Sequence, residues 1–493
     1  MAFESFSFLV LAVAAVALLR LCSNERQRGI VLCVASAIFV ASFASRPMEL
    51  LPLGVFMAAG YGAVLAGSRL GRRSLVVLLG AVIAAFVWLK QYAIIADLPH
   101  LGFAYTVVGL SYLLFRILHL IIAAAQGAIQ VPGVLSYFNY ALSPFTLVAG
   151  PVQRYQDFSE QMARPPVAAT QEQLLGGLGR VTRGYFYLLV LSEFTRLKAG
   201  ELKIAFYTDY AWSAWLGAGV HLGAAALVYF VFLYLNFSGY MHVMVGFGRL
   251  AGFTLPENFD EPYKAANFLE FWSRWHITVS EWLRTYLFNP LLKALVARWG
   301  KRVSSELLAV ITFFFTFFVM GMWHGTSIQF LVCGLMLAIG ATVNKLWQTE
   351  AVRRLGRRRY RALRAKPWYV NWARAATLAY MALVLVCVWF GPELSASGSE
   401  VVPTPQILSL FGLMCSVVAF LALLLGLWAA GPIVQGLAGA VSPWLGRLSL
   451  RAGLGAGDSQ SNAAIAWTAA KVFAVATLAV VLNWSPEVVY KGF

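Results

Sequence analysis

An all-α polytopic membrane protein is the fold class this sequence predicts, on three observations. The chain of 493 residues is 60% hydrophobic and only 12% charged, where soluble domains sit near a quarter charged. Mean hydropathy is +0.72. The apolar residues come in runs near the ~20 that one helical crossing needs, not in the alternating ten-residue segments of an outer-membrane barrel. Helices satisfy their own backbone groups in lipid, so they are the spanning element. About eleven spans are expected in one domain, with re-entrant and interfacial helices besides.

The net charge of +17 lies in short loops between apolar runs. It therefore reads as positive-inside topology, with membrane lipid as the surrounding partner and no nucleic acid. Cys22, Cys33, Cys333, Cys387 and Cys415 lie in or beside apolar helices without CxxC spacing. They read as small packing residues, not as a disulfide frame or metal site.

Taken in order, spans are expected near 5–21, 29–45, 50–67, 74–94 and 102–124. The first has no preceding positive charge and is followed by Arg20, the wrong polarity for a cleaved signal. Arg20, Arg26 and Arg28 follow the first span, and Arg69, Arg72 and Arg73 the third. That alternation places the N-terminus outside and the Arg-rich loops in the cytoplasm. The span at 102–124 carries Arg116 and His119, an i, i+3 pair on one face. Charge on a span must face a polar interior, pair or snorkel. A polar cavity wall and a structural hydrogen bond are both open readings.

Pro132 to Gln153 is broken by Pro132, Pro144, Gly150 and Pro151, which fits a re-entrant or interfacial segment. Tyr155 to Arg183 reads as a polar cytoplasmic loop with a surface helix. Apolar stretches follow near 184–196 and 211–236, separated by a polar break from Arg196 to Asp209. Asn236 to Phe253 holds four glycines and reads as a close-packed or bent helix. Asn267 with Glu270 forms a capping-box signature, and apolar residues recur at helical spacing through Leu287. The expected element is one interfacial helix stopped by Pro290, with Trp272, Trp275 and Trp282 at the bilayer boundary. Glu306 to Met320 and Thr326 to Thr342 look too short to cross alone, which would sink the phrase WHGTS (Trp323 to Ser327) to the floor of a recess. Lys345 to Lys366 reads as a cytoplasmic anchor. Further spans are expected near 369–390, 407–430 and 465–484.

Of the six histidines, His100 and His221 read as incidental and His242 as a structural donor. His276 and His324 differ. Each follows a tryptophan and stands beside hydroxyl or small residues: Ser280 one turn beyond His276, and Gly325, Thr326 and Ser327 after His324. An imidazole in a partly dry site is neutral at pH 7 and can take a proton from a hydroxyl. Structural hydrogen bonding is the competing reading for both. No HExxH is present, and a metal is not expected.

The ordered phrases LNFSGY (Leu235 to Tyr240), GFTLPENFDEPYKAANFLEFWSRWHITVSEWLRTYLFNPL (Gly252 to Leu291) and MGMWHGTS (Met320 to Ser327) resemble the membrane-bound O-acyltransferase family. The likeness is to the bacterial branch of alginate O-acetylation and teichoic acid D-alanyl transfer. VGLSYLLFRILHLII (Val108 to Ile122) and LVAGPVQRYQDF (Leu147 to Phe158) match as well. The resemblance covers 105–345 as a core, with 346–493 as C-terminal helices. It implies helices around a central funnel or tunnel, His324 as the catalytic histidine and His276 as the second polar site residue. Trp323, Trp275, Ser280, Arg284, Arg116 and His119 are the expected substrate-side residues. For Ser280 and Arg284, interfacial packing is an equal alternative. No bound cofactor is implied. The co-substrate would be an acyl thioester, acetyl-CoA or an acyl carrier, and the acceptor a polysaccharide or wall polymer. A separate extracytoplasmic SGNH-like acyltransferase would be the partner, at the bacterial cytoplasmic membrane. Met241 and His242 depart from the family's usual small polar residues. A transporter or flippase, or a scaffold of a polysaccharide export complex, is the competing class. Transporters often carry matching inverted halves, and none is visible here.

Overall fold

The computed structural model describes residues 5–95, 97–164, 170–208, 215–389 and 414–433. Among these the chain is helical, with one isolated β-bridge and no strand. It divides into two compact units. The first holds the described residues up to Val190 together with Asn236–Glu257; the second holds Leu191–Leu235 and the described residues from Asn258 onward.

In the first unit, α1 (Phe6–Leu21) packs on α2 (Glu25–Ala41). Asn24 caps α2 by accepting the Gln27 N–H at 2.9 Å, which satisfies one of the donors a helix start leaves open. Next come α3 (Leu51–Leu70) and α4 (Leu75–Lys90), which pack together and on α5 (Leu110–Ala125). Gly71, at φ +66, separates α3 from α4, a conformation a Cβ would strain. The short α6 (Val134–Leu142), inside the Pro132–Gln153 segment, and α7 (Tyr155–Ala163) flank a buried, non-helical stretch. α8 (Gln171–Phe186) starts at a full capping box of Thr170 and Gln173. It packs against the helical stretch from Asn236 to Leu250 through glycine. A methyl on Gly184 would fall 2.6 Å from the Gly239 carbonyl oxygen. Small residues permit this backbone approach where lipid supplies no hydrophobic drive.

In the second unit, α9 (Ser192–Thr208) continues from a π-helical turn at Tyr187–Leu191. The polar break expected from Arg196 is therefore helical as far as Thr208. Its charges pair along the helix, Arg196 with Glu193 and Lys198 with Glu201, so polarity did not end it. α10 (Trp215–Leu250), whose residues from Asn236 onward belong to the first unit, is one helix of 36 residues. The interfacial helix expected from Asn267 to Pro290 is instead α11 (Phe268–Arg274), α12 (Ile277–Leu283), a π turn at Arg284–Phe288, and α13 (Asn289–Trp299). Pro290 does not stop a helix. It stands in the first turn of α13, where its missing N–H costs nothing.

α14 (Ser305–Trp323) and α15 (Ile328–Arg364) form a tightly packed hairpin, followed by α16 (Pro367–Trp389) and α17 (Met414–Ile433). α14 runs through Gly321 and reaches 19 residues, about 28 Å at 1.5 Å per residue, close to the ~30 Å of a bilayer core. The expectation that it is too short fails because Gly321 is a contact, not a break. A methyl there would lie 2.1 Å from Gly334 Cα on α15. Trp372 and Trp428 stack at 4.9 Å, and Asn371 donates to the Trp428 carbonyl at 2.7 Å, seating α17 on α16.

Among the described residues six helical runs are long and apolar enough to cross a membrane: Pro47–Lys90, Trp215–Leu250, Ser305–Trp323, Ile328–Arg364, Pro367–Val386 and Met414–Ile433. The chain is a multi-pass membrane protein. The expected count of about eleven is not confirmed by these six runs. α1 and α5 have 16 residues each, about 24 Å. Pro47–Lys90 contains both α3 and α4. The expected span at 465–484 lies outside the described residues.

Candidate active site

The second unit builds its site at two backbone junctions. α11 ends as Trp275 turns extended, and His276 then takes φ 49, ψ 48 before α12 begins at Ile277. A non-glycine residue in this left-handed region stores roughly 1–3 kcal/mol of strain and persists where its surroundings enforce it. The junction turns the ring inward, and His276 is 1% exposed. His324 is the C-cap of α14, at the hairpin turn into α15. It is half-buried.

These two junctions bring the imidazoles together, with ring centroids 6.3 Å apart and planes at 61°. The Trp323 ring lies 4.9 Å from His324 and 6.4 Å from His276. His324 Nδ1 is 2.6 Å from the Met320 carbonyl oxygen. A carbonyl only accepts, so Nδ1 carries the proton and Nε2 carries the lone pair in the neutral ring. Burial pulls the His324 pKa from the ordinary imidazole value down to about 4, against an upward pull from the Met320 carbonyl. Burial, and then the neighbouring His324, hold His276 well below its ordinary value. Both rings are neutral at pH 7, the form in which an imidazole accepts a proton.

Around them is an aromatic wall. Trp275 stacks on Phe271 at 5.5 Å and Phe230 at 5.7 Å, and Phe259 meets it edge-on at 5.1 Å. Trp272 and Trp275 are therefore core residues, not the bilayer-boundary residues expected, because the break at His276 turns this face inward. A cavity of about 240 Å³ lies nearby, lined by neither imidazole but by their chain neighbours. Its lining includes Trp272, Ile277, Ser280, Arg284, Thr316 and Met320. Ile277 directly follows His276, and Met320 is the residue that holds His324. The Arg284 guanidinium is exposed and paired with Glu281 at 3.3 Å.

The expected site residues thus divide. His276, His324 and Trp323 share one ring cluster, Ser280 and Arg284 line the adjoining cavity, and Trp275 packs behind it. Arg116 and His119 belong to the first unit. Buried at 1% exposure, Arg116 donates to the carbonyls of Tyr140 at 3.1 Å, Ala141 at 2.6 Å and Thr146. His119 Nε2 accepts the Tyr155 N–H at 3.1 Å. Both tie down the stretch around the cis Gly150–Pro151 bond. His242, expected as a donor, accepts instead: Arg180 donates to its Nδ1 at 3.1 Å and also pairs with Glu257. An arginine has no lone pair to offer. Asn258 was not singled out from the sequence, where it stands among Pro256, Glu257 and Asp260. An asparagine among Pro, Glu and Asp reads as turn chemistry, and nothing local shows that it is buried.

Residues 72–390 match the membrane-bound O-acyltransferase family. The chain belongs to that family. Among similar curated proteins, one named probable alginate O-acetylase AlgI from Pseudomonas fluorescens is 28% identical over 70% of this chain and 66% of its own length. The teichoic acid D-alanyltransferase of Streptococcus thermophilus is 27% identical over 49% of this chain and 57% of its own. The peptidoglycan O-acetyltransferase of Helicobacter pylori is 31% identical over 43% and 38%. In each case the match spans less than two thirds of the relative. His276 and His324 both fall within the matched family region.

Proposed function

We propose that this chain is a membrane O-acyltransferase that moves an acyl group, acetyl by preference, from a cytoplasmic thioester towards a hydroxyl of an exported cell-surface polysaccharide or wall polymer. The observation that carries the reading is the buried pair of neutral imidazoles 6.3 Å apart within the matched region of the family. The relatives' names favour acetyl, two of the three describing O-acetylation.

In this reading Nε2 of His324 takes the proton of the acceptor hydroxyl. The oxygen attacks the thioester carbonyl carbon, and a tetrahedral oxyanion forms. The C–S bond then breaks, the ester remains on the acceptor, and the thiolate takes the proton back from the imidazolium. The tautomer fixed by Met320 leaves the correct nitrogen basic. His276 positions or polarises the thioester carbonyl, the kind of electrostatic assistance that acts where charge develops. Trp323 packs beside both rings, and Ser280 and Arg284 hold the donor along the cavity wall. Acetyl-CoA or an acyl carrier supplies the thioester.

The arginine-rich segments after α1, between α3 and α4, and at the end of α15 support a cytoplasmic placement for those ends. The N-terminus is then outside, in the cytoplasmic membrane of a bacterium. A passage open to both faces is required, and an extracytoplasmic SGNH-like acyltransferase completes the transfer to polymer. The test is release of free thiol from acetyl-CoA by the purified protein in vesicles, with radiolabel followed to a polysaccharide acceptor. Wild-type turnover that disappears in His324→Ala supports the reading; equal turnover in both proteins overturns it.

A further inference from the structure

The strained backbone of His276 needs a cause, and the residues around it supply one. The Asn258 carbonyl accepts the Ile277 N–H at 3.1 Å. Its side-chain Oδ1 accepts twice more, from the Thr278 N–H at 3.0 Å and the Thr278 hydroxyl at 2.7 Å. On the other side of His276, the Asp260 N–H donates to the Arg274 carbonyl at 2.9 Å, and Phe259 forms the β-bridge to Trp275. The Arg274 guanidinium returns to the Asp260 carboxylate at 3.0 Å. Residues 258–260 therefore grip the chain immediately before and after His276.

The capping chemistry explains why the grip is needed. A helix start leaves N–H groups open, and the residue at the N-cap ordinarily closes one with its own side chain. At α12 the N-cap is His276, and its side chain makes no capping bond. Asn258, 20 positions before Thr278 and 1% exposed, accepts the N–H of that second helical residue in its place. The His276 ring is thereby released from capping and lies toward His324.

We propose that Asn258 is a positioning residue for the acyl-transfer site, acting through His276 by serving as a remote cap of α12. The kinetic part of its test rests on the acyltransferase reading; the chemical part does not.

The chemical part is site-resolved diethylpyrocarbonate labelling of the full-length protein in detergent, read by mass spectrometry. His100, which is exposed, and His119, which is buried in the other unit, serve as references. Removing a partner from buried donors has a real cost, so in Asn258→Ala we expect His276 to label at least about fivefold faster, with His119 unchanged. Asn258→Asp keeps an acceptor oxygen in place and returns labelling to within about twofold of wild type. Equal acceleration at His276 and His119, or none at either, overturns the proposal.

The kinetic part is a double-mutant cycle on acyl turnover. Asn258→Ala lowers kcat by about tenfold with donor KM within about twofold. Added to His276→Ala it costs less than about a further twofold, because residues acting as one unit are non-additive. Losses that multiply would mark a merely structural asparagine and overturn the proposal. If Asn258→Ala does not yield a monodisperse protein, Thr278→Val, which removes one donor from the same clamp, is judged by the same two criteria. Absence of any acyl turnover in wild type would sink the acyltransferase reading and leave the labelling result to decide the clamp.

Discussion

Two regions of this molecule each hold a pair of basic side chains in apolar surroundings, and they use them in opposite ways. In the first unit Arg116 and His119 stand one turn apart on α5. The arginine's donors go to three backbone carbonyls, and the histidine takes a backbone N–H. In the second unit His276 and His324 come from separate elements, and their rings meet edge-on with centroids 6.3 Å apart. His276 is as buried as Arg116 and His119 while His324 is half-buried, so burial alone does not separate the pairs. Their partners do. A group that spends its hydrogen bonds on backbone distant in the chain holds a fold together. The His324 ring meets the Met320 carbonyl of its own helix through Nδ1 and lies 6.3 Å from the His276 ring, an arrangement that pairs two imidazoles from separate elements.

The sharpest way to break this contrast is to remove one member of each pair. His324→Ala should lower acyl turnover by roughly 10²–10⁴-fold, the usual worth of a positioned general base, while the protein still extracts and migrates as wild type. Arg116→Leu should do the reverse. It strands three buried carbonyls, each costing about 1–3 kcal/mol, so folded protein should be lost, as thermal unfolding or gel filtration in detergent would show. If instead Arg116→Leu folded well and lost only activity, the two regions would not differ as claimed. Gly321→Ala comes next in size. The new methyl meets backbone at 2.1 Å, so α14 and α15 must separate. We expect a drop of several degrees in unfolding temperature together with reduced turnover, since His324 rides on that hairpin.

How much of this was legible beforehand differs between the regions for the same reason. The two tryptophan–histidine phrases and the Asn267 cap could be read locally. That cap is present, although Glu270 reaches the Ala266 N–H at 3.1 Å, one residue earlier than a capping box requires. The break at His276 could not be read, because apolar residues keep helical spacing straight through it. Only contacts from Asn258 to Asp260, distant in sequence, overrule that period. Gly321 and Pro290 misled as helix breakers, one being a packing contact and the other a first-turn residue. Arg116 announced itself as an anomaly in an apolar run, but its partners are backbone carbonyls, which carry no residue signature.

A smaller effect separates strain from chemistry at His276. Glycine tolerates φ near +49 and alanine does not. His276→Gly and His276→Ala should therefore be equally poor in turnover, while the glycine variant is more stable by about 1 kcal/mol. The comparison requires only turnover and unfolding temperature for both. A glycine variant less stable than the alanine one would mean that the left-handed backbone is not what the imidazole costs the fold.

The pH dependence follows from the direction of the shifts. The His324 pKa lies below its ordinary value, at about 4, so the ring stays neutral as pH falls through 6.5 and protonates only near the lowered value. Protonation fills Nε2, which would end the proposed base catalysis. Turnover should thus be flat from about pH 8 to about pH 5.5 and fall below that, where a solvated histidine would give a limb near ~6.5. A limb at 6.5 in kcat/KM would show that water reaches the ring freely in the enzyme without substrate.

The smallest effect tests the cavity. The Ser280 hydroxyl is 3.5 Å from the Trp275 carbonyl, at the limit of hydrogen bonding, so Ser280→Ala should change stability by less than about 0.5 kcal/mol. Ser280→Leu instead fills part of the space beside Ile277 and Met320. If the thioester donor lies there, the leucine variant raises donor KM several-fold and leaves kcat nearly unchanged, since neither imidazole has moved. An equal fall in kcat would mean that the added side chain disturbs the His276–His324 pair itself. An unchanged KM would remove the cavity from the donor's path and leave Ser280 as packing.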